Sequence, residues 1–248
     1  MEQSQIDHFG DALYLAMRER RMLAPLTETH PELTIKDAYA ISLRFLTNRM
    51  QAGEKLVGKK IGVTSNAAMD MLGVRQPDFG FLTDAMRYDA EMAISGALIQ
   101  PRAEGEIAFL LSKDLQGPGV TNDDVLAATD AVMPCFEVVD SRVKDWQIKI
   151  QDTIADNASC GWFALNEAAA VDPAAVDLVN CGMTVRKNGS VISTGRGAAA
   201  MGSPVNCITW LANTLGAFGI TLERGDIVLS GSLVPLEPVS AGDEMTLH

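Results

Sequence analysis

QPRAEGEIAFLL, residues Gln100–Leu111, decides how this chain is built. Read as a strand, its side chains alternate between faces. Glu104 and Glu106 then stand side by side with Ala108 and Leu110, while Ala103, Gly105, Ile107 and Phe109 take the other face. Carboxylates that close repel, and one of them holds its proton more tightly unless a cation neutralises the pair. On a solvated face the cost is small, so the pair alone does not separate an exposed strand from a metal site.

The same texture continues through the chain after Gly58. Short apolar runs broken by Gly, Pro and Asp, namely LVGKKIGVT, VMPCFEVVD, WFALN, GMTVRKNGSVIST, DIVLSGSLVPL and DEMTLH, read as further strands. The Asn188-Gly189 step, flanked by alternating residues, marks a two-residue hairpin. Helices come first in the chain. Ile6, Phe9, Leu13 and Met17 recur at helical spacing between Ile6 and Met22, and Ala38, Ile41 and Phe45 do so after Thr34. Thr34 and Asp37 form a capping box for the second helix, which stops near Gly53, and PLTETHPEL is the loop between the two. Shorter helices are expected at Asn66–Leu72 and Asp123–Thr129, and one more from Ser203-Pro204 to Gly216.

Strands not regularly alternated with long helices argue for an α+β fold rather than a doubly wound parallel sheet. The expected arrangement is a helical amino-terminal part, residues 1–53, on a mixed β core, residues 54–248, with no clear linker to make them independent units.

Composition narrows the function. With 47% apolar and 21% charged residues the chain is an ordinary globular protein. A formal charge of -12 with dispersed Lys and Arg excludes nucleic acid as a natural partner. No stretch reaches the roughly 18 uninterrupted apolar residues of a membrane span, and the acidic, amphipathic amino terminus is unlike a signal peptide. Cys135, Cys160, Cys181 and Cys207 lie far apart without a CxxC pair and are expected as buried free thiols, which suits a reducing cytoplasm.

The acid that shifts the balance is Glu137, set inside the apolar run VMPCFEVVD, where an unpaired carboxylate is costly to bury. A Lys or Arg partner would satisfy it, and so would a divalent cation shared with Glu104 and Glu106. Three carboxylates suit Mg²⁺ or Mn²⁺, with positions left for water and substrate. Histidine occurs only at His8, His30 and His248, too little for a His-rich zinc site or a Ser-His-Asp triad. Lys60, between Gly58 and Gly62, has small neighbours that leave room for a ligand, although solvation is the commoner fate of a lysine. Asp78, after Pro77, reads on local chemistry as a turn residue. No GxGxxG or GxxxxGK[ST] pattern indicates a nucleotide.

Taken together, GKKIGVTS, LGVRQPDFGFLTDAM, RAEGEIAFLLSKDLQGPGVT, PCFEVVDSR, IQDTIADNASCG, GSPVNCITWLANTLG and LSGSLVPLEPV resemble the 2-hydroxypenta-2,4-dienoate (2-oxopent-4-enoate) hydratases of aromatic meta-cleavage catabolism. The resemblance spans the chain from the first helix onward. It implies the fumarylacetoacetase-like superfamily, a mixed β roll or sandwich, and Mg²⁺ or Mn²⁺ held by Glu104, Glu106 and Glu137. It further implies Lys60 and Asp78 as catalytic groups and Ser159, of the ADNAS motif, as a group that helps hold the substrate carboxylate. The implied substrate is a small 2-hydroxydienoate, the implied assembly a homo-oligomer, and association with 4-oxalocrotonate decarboxylase is a further implied partnership. The sister decarboxylase family shares the metal triad, and LSGSLVPLEPV, QPDFG and PCFEVVDSR lean toward the hydratases. A non-catalytic partner subunit of that decarboxylase is the reading from another class. Arg196 departs from the pattern where a small residue is expected, and a surface position would account for it.

Overall fold

The computed structural model describes residues 1–94 and 96–248. Two long helices open it, α1 (Gln3–Glu19) and α3 (Ile35–Gln51), joined by a segment holding the four-residue helix α2 (Leu26–Thr29). The segment PLTETHPEL is therefore not all loop. Thr34 caps α3 as its spacing predicts, with its hydroxyl accepting from the Asp37 N–H at 3.1 Å. The buried face of α3 carries Ala38, Tyr39, Ile41, Phe45 and Leu46.

The strands and remaining helices follow in the order β1 (Leu56–Gly62), α4 (Asn66–Leu72), β2 (Asp78–Thr83), β3 (Arg87–Tyr88), β4 (Pro101–Leu111), α5 (Asn122–Ala128), β5 (Thr129–Asp140), α6 (Ile150–Ala155) and β6 (Cys160–Leu165). After them come β7 (Gly182–Lys187), β8 (Ser190–Arg196), α7 (Pro204–Gly216), β9 (Ile227–Leu229), β10 (Glu237–Pro238) and β11 (Met245–Leu247). Among the described residues the main sheet runs β2-β1-β9-β4-β5-β6-β3, with β10 on β4, and a smaller sheet runs β11-β7-β8. Because β1 is antiparallel to β2 and parallel to β9, the main sheet is mixed. The fold is α+β, a curled mixed sheet carrying helices.

Pairing register sorts the side chains into two faces. Ile61, Phe79, Ile107, Phe109 and Val228 pack with α1, α3 and α7 in one large apolar core. Tyr39 of α3 stacks on Phe79 with ring centroids 4.1 Å apart, and burying each such ring contributes about 1.5–3 kcal/mol. The opposite face gathers Leu82, Ala108, Met133, Cys135, Phe163, Leu165 and Leu229. The helices thus brace the back of a sheet whose front is apolar except in one place.

Several local readings meet tertiary structure here. The Asn188-Gly189 hairpin forms between β7 and β8, both turn residues having positive φ, and Arg196 is exposed at the end of β8. Asp78 opens strand β2 rather than sitting in a turn, because β2 pairs with β1 along its length. DIVLSGSLVPL yields only the three-residue β9, and Cys181 is half-buried while the other three thiols are buried.

Candidate active site

The apolar front of the sheet is interrupted by a cluster of charge. In the antiparallel β4–β5 pair Glu104 lies directly opposite Glu137 and Glu106 opposite Cys135, so all three glutamates share one face. One carboxylate oxygen of each lies within 4.8 Å of the others. The β1–β2 pair adds two more groups to this face, since Gly62 opposes Asp78 and Lys60 opposes Gly80. Lys60, Asp78, Glu106 and Glu137 are between 0 and 3% exposed, so solvent does not satisfy them. Glu104 keeps a partly open surface.

Lys60 is therefore buried, against the commoner fate of a lysine, and its Nζ lies 3.3 Å from Glu137 Oε1. The remaining acceptors are poorly served. Glu106 Oε2 accepts from the Gly231 N–H at 2.8 Å, but Glu106 Oε1, both Glu137 oxygens and Asp78 Oδ1 have no hydrogen-bond partner. Orphaned buried carboxylate oxygens are costly, and those of Glu106 and Glu137, beside Glu104, make an all-oxygen donor set that suits a hard cation.

Electrostatics follows from this crowding. Burial, together with the charge of Glu137, pushes Glu104 up to about 7. Burial and the neighbouring Glu137 and Glu104 push Glu106 well above the usual carboxylate range, and burial also raises Asp78. Burial alone would make Lys60 shed its proton, yet the surrounding acids, Glu137 foremost, hold it well above the usual lysine value. Without a cation, Glu104 and Glu106 bind protons more readily in its place.

Small residues make the space. A Cβ at Gly62 would stand 2.5 Å from Asp78 Oδ1 and 3.2 Å from Lys60 Nζ, so the absent side chain leaves both groups open. A Cβ at Gly80 would stand 2.5 Å from the Asn157 carbonyl oxygen, which packs directly on β2. That contact carries Ser159. Asn157, Ala158 and Ser159 all have φ between 50 and 55°, a left-handed run that costs non-glycine residues free energy. The Asn157 amide holds it, accepting from the Phe81 N–H at 2.8 Å and donating to the Phe81 carbonyl at 2.9 Å. Asp156 holds the other side through a buried ion pair with Arg142, 2.5 Å from Nε to Oδ1. Ser159 Oγ comes within 3.2 Å of Thr153 Oγ1, and Thr153 Oγ1 donates to Asp78 Oδ2 at 3.5 Å.

The structure thus brings together all six residues singled out in the sequence: Lys60, Asp78, Glu104, Glu106, Glu137 and Ser159. Gly62 leaves room beside Lys60 as its small size predicts, whereas Thr153, Asn157 and the Arg142–Asp156 pair were not singled out, because the left-handed run that joins them to the site is set by contacts distant in sequence. A cavity of about 600 Å³ lies elsewhere, on the reverse face of β4 and β5, lined by residues such as Ala103, Phe136, Val138 and Met245, and holds none of these groups.

Comparison with known proteins agrees with the geometry. The family described as fumarylacetoacetate (FAA) hydrolase C-terminal matches residues 64–248. The chain is 64% identical over 222 residues to a 2-hydroxypent-2,4-dienoate hydratase of Pseudomonas putida, covering 89% of this chain and 100% of that protein. It is 58% identical over 245 residues to a 2-hydroxyhexa-2,4-dienoate hydratase of Comamonas testosteroni, covering 98% and 92%. The solved structure of 4-oxalocrotonate decarboxylase from Pseudomonas putida G7, complexed with magnesium and adipate, matches with a TM-score of 0.96 at 32% identity, covering 100% of this chain and 94% of that one.

Proposed function

The chain belongs to the fumarylacetoacetate hydrolase C-terminal family, and from that premise we propose that it is a metal-dependent hydratase of short 2-hydroxydienoates. It converts 2-hydroxypenta-2,4-dienoate and water to 4-hydroxy-2-oxopentanoate in the meta-cleavage breakdown of aromatic compounds. The observation that carries the reading is the set of buried carboxylate oxygens on Glu106 and Glu137, left without hydrogen bonds beside Glu104.

In this reading Glu104, Glu106 and Glu137 hold Mg²⁺ or Mn²⁺, a choice supported by an all-oxygen donor set and by the magnesium of the related decarboxylase. A bound divalent cation supplies Lewis-acid stabilisation of charge developing at the substrate's C2 oxygen. The protein's own groups manage protons. The 2-hydroxyl loses a proton and C5 gains one, which turns the dienol into a 2-oxo-enoate. Water then adds its oxygen to C4 and a proton reaches C3, so substrate plus water equals product. Lys60 and Asp78, side by side across β1 and β2, carry these protons and orient the water. Ser159 donates to the substrate carboxylate. The apolar residues beneath the cluster, Phe163 and Leu229 among them, keep bulk water from the reacting carbons.

Residues 1–53 and 54–248 work as one catalytic unit with a shared core. The protein acts in the cytoplasm as a homo-oligomer and associates with 4-oxalocrotonate decarboxylase. Among the described residues no helix is long and apolar enough to cross a membrane.

Decarboxylation of 4-oxalocrotonate is the competing reading, favoured by the TM-score of 0.96. Identity weighs against it, at 32% for the decarboxylase and 58–64% for the two hydratases. Incubation with 2-hydroxypenta-2,4-dienoate and Mg²⁺ should bleach the dienol absorbance and yield 4-hydroxy-2-oxopentanoate. No turnover there, with CO₂ released from 4-oxalocrotonate, would reverse the assignment.

A further inference from the structure

Thr153 has no role in the reading above, yet its hydroxyl stands between two residues that do. It lies on α6 next to Asp152, whose carboxylate accepts from the Thr27 N–H and hydroxyl at 3.0 and 2.7 Å and from the Lys149 N–H at 2.9 Å. The helix is thereby pinned at this point, and Thr153 is buried. From there its Oγ1 reaches Ser159 Oγ at 3.2 Å and Asp78 Oδ2 at 3.5 Å.

Donor counting gives this chain of oxygens only two orders. Ser159 and Thr153 each own one proton, and Asp78 owns one or none. With Asp78 ionised, Thr153 donates to it and Ser159 donates to Thr153, so the serine oxygen meets the pocket with lone pairs alone. That arrangement repels a substrate carboxylate. With the proton on Asp78 Oδ2 the order reverses: Asp78 donates to Thr153, Thr153 to Ser159, and the Ser159 proton is free for the pocket, whereas a proton on Oδ1, which has no partner, leaves the first order in place. The titratable groups that interact with Asp78 are Lys60, Glu137, Glu104 and the Cys160 thiol, with the Tyr39 ring behind β2.

We propose that Thr153 is a positioning residue for the hydration, linking Ser159 to Asp78 so that Ser159 donates to the substrate carboxylate in the state in which Asp78 carries a proton to deliver. This rests on the hydratase reading. It makes Asp78 the acid of the bound complex.

The test is steady-state hydration of 2-hydroxypenta-2,4-dienoate by the Mg²⁺-loaded full chain as wild type, Thr153→Val, Thr153→Ser, Ser159→Ala and the Val/Ala double variant. Calorimetric Mn²⁺ affinity certifies the fold of each, and Thr153→Ala replaces the valine variant if that one does not fold. Thr153→Val should lower kcat by at least about tenfold, since proton delivery typically contributes more than that, while KM and Mn²⁺ affinity stay within about threefold. Thr153→Ser should return kcat to within about threefold of wild type, and the double variant should be no slower than Ser159→Ala by more than about twofold. A smaller loss in Thr153→Val, a serine variant as impaired as the valine one, or losses that multiply in the double variant overturns the inference and leaves the hydratase reading standing. Absence of turnover in the wild type removes both.

Discussion

Lys60 Nζ lies 3.3 Å from Glu137 Oε1, and the same Glu137 shares its face with Glu104 and Glu106. A lysine partner and a carboxylate cluster, alternatives when Glu137 is considered alone, coexist at one residue. Four acids face one ammonium here, so full ionisation leaves a net charge of minus three in the front of the sheet. This imbalance governs what removal of each part should do.

Glu106→Gln should separate metal binding from stability. The amide keeps the acceptor for the Gly231 N–H but loses the charge. Mn²⁺ affinity should fall by more than the roughly 10–100-fold typical of losing a mere supporting group. In EDTA at alkaline pH, where Glu106 is driven to ionise, the variant should melt above the wild type, because a repulsive buried charge is gone. Calorimetric titration and thermal melts read the two effects, and a variant that melts lower under those conditions contradicts the account of the cluster.

Stability of the metal-free protein should fall as pH rises toward neutrality. Glu104 is held at about 7 in the fold against an ordinary 4.5, and Glu106 is likewise pushed well above that ordinary value. Below the ordinary value folded and unfolded chains are equally protonated, so nothing is lost. Between the two values the folded state binds more protons, and each rise in pH costs stability. A cation removes the penalty, so Mg²⁺ should raise Tm more at about pH 8 than at about pH 5.5. An equal increment at both would contradict the proton–metal competition.

Gly62→Ala should cripple turnover without unfolding the chain. The new methyl meets the Asp78 carboxylate at 2.5 Å, and that buried group must turn aside. A kcat loss of about 100-fold, with Mn²⁺ affinity unchanged, is expected from misplacing one proton-transfer group. Near-normal kcat would show that Asp78 does not need its present position.

Asn157→Ala should act through the fold. It strips partners from the Phe81 N–H and carbonyl, each worth about 1–3 kcal/mol when buried unpaired, so a loss of about 2–6 kcal/mol in urea denaturation is expected. Activity should fall further than stability alone explains, because Ser159 follows two residues later in the same left-handed run. Loss of stability with unaltered kcat in the folded fraction would detach Ser159 from that turn.

Much of this was legible in residue order, and the reason is range. The Thr34–Asp37 cap, the Asn188-Gly189 turn and the pairing of Glu104 with Glu106 on one face depend on neighbours within a few positions. Glu137 announced a need for a partner without saying which. Its register against Glu104 is set by a strand pairing some thirty residues away, which spacing cannot supply. Asp78 misled local reasoning because the turn preference of a Pro-Asp step is weaker than a full ladder of hydrogen bonds to β1. Lys60 was hidden for a related cause: its burial depends on charges contributed by β2, β4 and β5.

The stack of Tyr39 on Phe79 bears on modular redesign. Phe79 immediately follows Asp78 on β2, so the amino-terminal helices press on the back of the strand whose front holds the acid. A chimera that takes its first fifty residues from a relative would inherit a different cushion behind that acid. Exchange of the helical cassette and of residue 79 should therefore be made together, since half the swap would shift Asp78 without touching a single residue in the pocket.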